Sequence, residues 1–275
     1  MADTDIVFRY DGLSADRGEL GLYDSAEALK GLATLINQVS HAFANDNEVR
    51  DRIANPQEVI TTMVGAKRGC FEYIVNVRFT DNVVRGIGKS VILKHFWDYL
   101  DLSVLLATGS EAESNNPYIK KIASSDDTPF EELAIRLEQP LKSILRPIHT
   151  AGAVSMTLNR PYAGDRLVLD EASYDYVSTS NQDVALGHWE GNVTKYNILT
   201  GYGRMFLDSV RRTVPFNVID FPANQRAHQA ATASMNERAQ GAGEGKRVFV
   251  GHKVSNAVGR IKRILITEIN QLHGG

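Results

Sequence analysis

The side chains most often used for reaction chemistry are scattered along this chain without the spacings that such chemistry needs. The seven histidines include no pair three or four residues apart, the separation that puts two metal ligands on one helix face. Ser155, Ser209 and Ser234 lack the flanking glycines of a nucleophile elbow, and Cys70 stands in an apolar strand pattern suited to an inert core thiol. Gly86-Ile87-Gly88-Lys89-Ser90 approaches a phosphate-binding loop after a strand and before a helix. Val83, however, occupies the position of the glycine that would wrap the phosphates, so a helix start with a solvated lysine is expected instead. Asp126/Asp127 and Glu131/Glu132 fall in a loop and at a helix start, where negative charge complements the helix dipole. The sequence thus assigns no catalytic residue, no metal ligand and no cofactor.

A different chemistry is written into residues 191–269, where short runs of β-branched and aromatic residues alternate with basic ones. From Ala185 onward basic residues outnumber acidic ones twelve to six, although the whole chain has a formal net charge of -3. A basic module on an acidic body suggests a polyanion partner, the plainer alternative being a solvated basic face that docks on the acidic half of the same chain. Tyr196, Tyr202, Arg204 and Phe216 are the residues expected to form an open binding face, with Lys195, Arg211, Arg212 and Lys253 contacting phosphate.

Several elements must position these residues. Residues 5–10 alternate as a strand, and Asp24 followed by Glu27 reads as a capping box opening a helix with Leu29, Leu32, Ile36, Val39 and Phe43 on its buried face. Residues 59–64 and 70–79 read as a hairpin with a basic tip at Gly65-Ala66-Lys67-Arg68-Gly69. The run from Ser90 to Leu106 is apolar nearly all round, as in a helix central to its domain or shared with another subunit. Residues 111–127 read as a polar loop, and Thr128-Pro129-Phe130-Glu131 as a helix start. Its helix is expected to kink at Pro140 and stop at Pro147. Residues 153–158 and 166–169 read as strands, and 174–179 as a third strand or a linker. The fold class expected is α+β: a domain over residues 1–184 with long helices on a small sheet, then an OB-like five-stranded β-barrel over 185–275 with a helix between strands three and four.

Two resemblances bear on the barrel. Gly191-Asn192-Val193-Thr194-Lys195-Tyr196-Asn197 followed by Gly201-Tyr202-Gly203, with Val214–Ile219 beyond, resembles the opening of a cold-shock domain. That resemblance implies aromatics stacking on unpaired bases, with Tyr196, Tyr202 and Phe216 matching by position, while Lys195 and Arg204 stand where two stacking aromatics belong. The helical stretch 223–240 departs from the cold-shock pattern and agrees with the general OB-fold. The whole chain is also similar to an uncharacterised bacterial family that joins an N-terminal α/β half to a five-stranded barrel. Gly191/Val193, Arg247-Val248-Phe249-Val250 and Gly259/Arg260/Arg263/Ile264 carry that similarity, which implies a fold and no activity.

The single cysteine, the lack of a leader pattern and the charges within the most apolar window, 91–107, lead to the expectation of a cytoplasmic protein with no membrane span. The partner expected is single-stranded nucleic acid or another polyanion. The alternative is a homo-oligomeric assembly or adaptor protein whose barrel and apolar helix make protein contacts. The terminal Gly274-Gly275 reads as a frayed end past the last strand.

Overall fold

The first strand, β1 (Ala2–Asp11), shows how the sheet is written. Ile6, Phe8 and Tyr10 are buried while Asp3 and Arg9 are exposed, the two-residue period of a sheet with one covered face. The structure is a computed structural model describing residues 1–275 apart from 51–52, 68–70, 111, 126–127, 163, 165, 242–243, 257–258 and 273–275. Cys70, Arg68 and Gly69 of the hairpin tip, Asp126/Asp127 and Gly274-Gly275 therefore lie outside the described residues, while Gly65, Ala66 and Lys67 belong to β2.

The chain forms two compact units: residues 1–125 with 132–178, and residues 126–131 with 179–275. The division after Ser178 falls ahead of the boundary read from the sequence.

In the first unit β1 is followed by α1 (Leu22–Ala44), β2 (Val59–Lys67), β3 (Phe71–Phe79), α2 (Asp81–Ile87), α3 (Ile92–Ala107), α4 (Pro117–Ser125), α5 (Thr128–His149), β4 (Ser155–Asn159), β5 (Arg166–Leu169) and α6 (Glu171–Ser178). The strands make a sheet of order β2-β3-β1-β4-β5, antiparallel at every pairing. Tyr10 donates its hydroxyl to the Ile144 carbonyl of α5 at 2.7 Å, and Tyr73 donates to the Ser25 carbonyl of α1 at 2.9 Å. Phe43 of α1, Phe79 of β3 and Phe96 of α3 meet edge to face with centroids 5.0–5.5 Å apart. Each such pair adds about 0.5–1.5 kcal/mol beyond the area it buries.

Several sequence expectations change here. The N-cap of α1 is Gly21, and Asp24 instead accepts hydrogen bonds from Arg146 Nε at 2.6 Å and Thr150 Oγ1 at 2.8 Å. Gly86-Ile87-Gly88 forms the end of α2 and its cap, so the glycine-lysine-serine run joins two helices and follows no strand. The apolar circumference of α3 is accounted for inside its own unit. Phe96, Trp97, Tyr99, Leu100 and Val104 are buried where α3 packs on α1, α4 and β1. Residues 117–125, expected to be loop, form α4, with Asn116 accepting a hydrogen bond from the Tyr118 amide at 2.9 Å. Residues 174–178 belong to α6, where Asp170 accepts from the Ser173 amide at 3.1 Å. Helix α5 passes through Pro140 and ends two residues after Pro147. Among the described residues no helix is long and apolar enough to cross a membrane.

The second unit contains β6 (Asn181–Gln182), β7 (Gly187–Tyr196), β8 (Tyr202–Leu207), β9 (Arg212–Val218), α7 (Gln225–Gln240), β10 (Arg247–Ser255) and β11 (Ile261–Gln271). β7, β8 and β9 form an antiparallel meander, β9 pairs parallel to β11, β11 antiparallel to β10, and β10 antiparallel to β7. These pairings close a five-stranded mixed barrel in the circular order β7-β8-β9-β11-β10, with α7 between the third and fourth strands. Its interior is filled by Val193, Met205, Leu207, Val214, Phe216, Val218, Phe249, Ile264 and Ile266, and Ala227 and Ala231 of α7 pack against them.

Candidate functional site

Strand alternation decides which barrel side chains can meet a partner. On β8 the buried Gly203, Met205 and Leu207 alternate with Tyr202, Arg204 and Phe206, which face outward. The pairing of β7 with β8 shifts register between Val193 and Lys195, a bulge that leaves Thr194 exposed and sets Lys195 opposite Arg204. Arg204 in turn lies opposite Pro215 of β9, and Tyr202 opposite Asn217. On β11 the buried Lys262, Ile264 and Ile266 alternate with half-buried Arg263 and Leu265, and Leu265 is the parallel partner of Asn217. Lys195, Tyr202, Arg204 and Arg263 thus share the outer wall of the barrel. Arg263 was used in the sequence reading only as a family motif residue; the two-residue alternation on β11 is the signal that would have found it.

The other expected site residues go elsewhere. Phe216 is only 1% exposed and belongs to the barrel interior, so its ring offers no face to a base, and its place in the binding face is corrected to a core role. Gly203 makes that position possible, because a Cβ there would lie 2.5 Å from the Phe216 ring. Tyr196 is half-buried and stacks on Phe216, with centroids 5.8 Å apart and planes inclined by 11°. Its hydroxyl hydrogen-bonds to His228 Nδ1, while His228 Nε2 lies 2.9 Å from the Phe221 carbonyl. A carbonyl can only accept, so Nε2 carries the proton, Nδ1 accepts and the phenol donates. Burial pushes the Tyr196 phenol up to about 12, which keeps it the donor. Tyr196 therefore ties β7 to α7.

The cations also find partners within the unit. Arg204 NH1 lies 2.9 Å from Glu131 Oε1, with the two side chains 24% and 9% exposed. Lys253 Nζ is 3.3 Å from Asp183 Oδ2, and Arg212 donates to the Ile261 carbonyl at 2.7 Å. Arg211 is exposed in the β8–β9 turn with a positive φ of 51°. Arg247, almost fully buried, donates through two nitrogens to Glu237 of α7 at 2.7 and 2.9 Å. That pairing holds the Glu237 carboxyl below the usual carboxylate range. Lys262 is buried too, donating to the Thr179 carbonyl at 3.3 Å and to Ser180 Oγ at 3.2 Å. The structure brings Lys195, Tyr202 and Arg204 together on one wall. Arg211, Arg212 and Lys253 are spread over other strand ends.

A shallow groove of about 500 Å³ lies beside this wall, lined by Thr194, Phe206, Met235 and Arg238 among others. Phe206 and Met235 expose about a third of their surface there. Among the described residues no group of three or more His, Cys, Asp or Glu side chains is placed to hold a metal ion.

Comparison with known proteins adds one decisive match. Residues 6–178 fit the model of a domain of unknown function, DUF7946. The chain belongs to the DUF7946 family. Its DUF7946 region ends at the residue where the first compact unit ends, and the barrel lies beyond it. No curated protein and no solved structure matches the chain. The DUF7946 match therefore gives the sheet unit a family and leaves the barrel to be read from its own geometry.

Proposed function

We propose that the barrel of this DUF7946 protein binds a polyanion, single-stranded nucleic acid foremost, along the outer wall formed by β7, β8 and β11. The observation that carries the reading is the alignment of Lys195 with Arg204 across the β7–β8 pairing, with Tyr202 and Arg263 on the same side of the barrel. The circular strand order, with its parallel third and fifth strands and a helix before the fourth, supports reading the barrel as OB-like. OB-folds present the outer side of their second and third strands to oligonucleotides, and here the second strand carries Tyr202 and Arg204.

The mode of recognition differs from the stacking that a cold-shock domain implies. With Phe216 in the interior and Tyr196 stacked on it and hydrogen-bonded to His228, the wall carries Tyr202 beside cationic side chains, so charge supplies most of the affinity. Anisotropy of a labelled oligothymidine at two salt concentrations tests this. Binding is expected at low salt, with log Kd rising against log salt by about 0.7 for each phosphate neutralised. The absence of binding at low salt would overturn the reading.

A second reading, a homo-oligomeric or adaptor barrel, is favoured by the groove that exposes Phe206 and Met235. It predicts that Phe206→Asp disperses an oligomer seen by light scattering, while charge reversal at Arg204 leaves the oligomer intact.

A further inference from the structure

Glu131 contacts Arg204 of the proposed wall, and it comes from a stretch of sequence far from the barrel strands. Residues 126–131 group with the barrel, whereas residues 132–149 of the same helix group with the sheet unit. Residues 126–132 carry four carboxylates in the run Asp126-Asp127-Thr128-Pro129-Phe130-Glu131-Glu132. The Glu131 carboxylate meets Arg204 NH1 at 2.9 Å, the distance at which a phosphate oxygen would meet the same group. Its neighbour Glu132 is engaged differently, accepting from Arg136 at 2.9 Å one turn along the helix.

Resting on the polyanion reading, we infer that Glu131 occupies a phosphate position on the barrel wall and that a nucleic-acid phosphate binds there by displacing it. Two properties favour an exchangeable contact over a permanent clamp. Glu131 sits in the first turn of α5, where the helix dipole stabilises its charge whether or not Arg204 is bound. The competing carboxylate is a single charge, whereas an oligonucleotide presents several phosphates to the same wall at once and so gains from multivalency. The wall then exists in a covered and an open form, and the apparent affinity for the ligand falls by the fraction that is open.

The test compares wild type, Glu131→Gln and Glu132→Gln for binding of a labelled oligothymidine of about twelve nucleotides, a length within the span of one OB barrel. Glu131→Gln is expected to bind roughly tenfold more tightly, with a salt slope steeper by about 0.7, because Arg204 then contributes one more neutralised phosphate. Glu132→Gln is expected to match wild type, and Arg204→Gln added to Glu131→Gln to remove the gain. Equal affinity and equal slope for wild type and Glu131→Gln would overturn the displacement while leaving the polyanion reading in place. No binding by either would overturn that reading itself. A measurement that needs no variant is hydrogen exchange of the first turn of α5 in wild type: added oligothymidine should speed its exchange, and unchanged or increased protection would overturn the inference.

Discussion

The sheet unit and the barrel use their charged groups in opposite ways. In the sheet unit the ionisable groups that matter to the core are buried and neutral. His41, fully buried near the end of α1, accepts from the Gln57 amide at 3.2 Å, and burial holds its imidazole below the usual histidine range. In the barrel the buried groups are cations satisfied by specific acceptors: Arg247 by Glu237, and Lys262 by Thr179 and Ser180. At its surface Lys246 adds an ion pair to Asp208 and Lys253 one to Asp183. A surplus of positive charge counted along the sequence therefore overstates the positive wall a ligand could use, because part of it serves the fold.

The contrast can be broken most forcefully in the barrel interior. Phe216→Ala removes a fully buried ring and is expected to cost about 3–5 kcal/mol. Each unit carries one of the two tryptophans, Trp97 and Trp189. Fluorescence of single-tryptophan variants during urea unfolding should show the Trp189 transition shifting strongly and the Trp97 transition little. Equal shifts in both would mean that the units do not unfold separately.

A smaller but matched pair of effects is expected from Gly191→Ala in the barrel and Gly31→Ala in the sheet unit. A Cβ at Gly191 would lie 1.9 Å from the Phe206 carbonyl oxygen, and one at Gly31 would lie 2.6 Å from that of Pro140. Backbone must move in both cases, at a cost of about 1–3 kcal/mol each, read from denaturant midpoints.

Acid should separate the units by pH. His41 has a folded pKa below its unfolded value of 6.5, so the unfolded chain takes up the proton first and the sheet unit loses stability as pH falls below that value. Glu237 has a folded pKa below 4.5, so its contribution to the barrel persists to lower pH and is lost only as pH falls through the carboxylate range. The Trp97 midpoint should therefore fall between pH 7.5 and 5.5 while the Trp189 midpoint holds; the reverse order would contradict these environments. The smallest effect expected is that of Tyr196→Phe, which removes the hydrogen bond to His228 and should lower barrel stability by about 1 kcal/mol.

How far the sequence was legible depended on whether a signal was local. Barrel strands and the start of α5 were visible because alternation and a proline in the first turn are local patterns. Helix α6 was missed although Asp170 and Ser173 exchange hydrogen bonds across its first turn, because its aromatic content suggested a strand. Asp24 was misread as a cap because its true partners, Arg146 and Thr150, arrive from the far end of α5. Phe216 shares a face of β9 with Val214 and Val218, opposite Thr213 and Asn217, so alternation points it inward; the cold-shock resemblance, which puts a stacking aromatic there, pointed outward. Glu131 was legible as a helix start and illegible as the partner of Arg204, because no local pattern records a contact between segments so far apart.

The last strand, β11, supplies both remaining seams of the barrel, parallel to β9 and antiparallel to β10. During synthesis, then, the meander and α7 emerge with two open edges facing each other across an unfilled gap. Closure must wait until residues through Gln271 have emerged, so the exposed edges of β9 and β10 are where a chain stalled before β11 would pair with a neighbour.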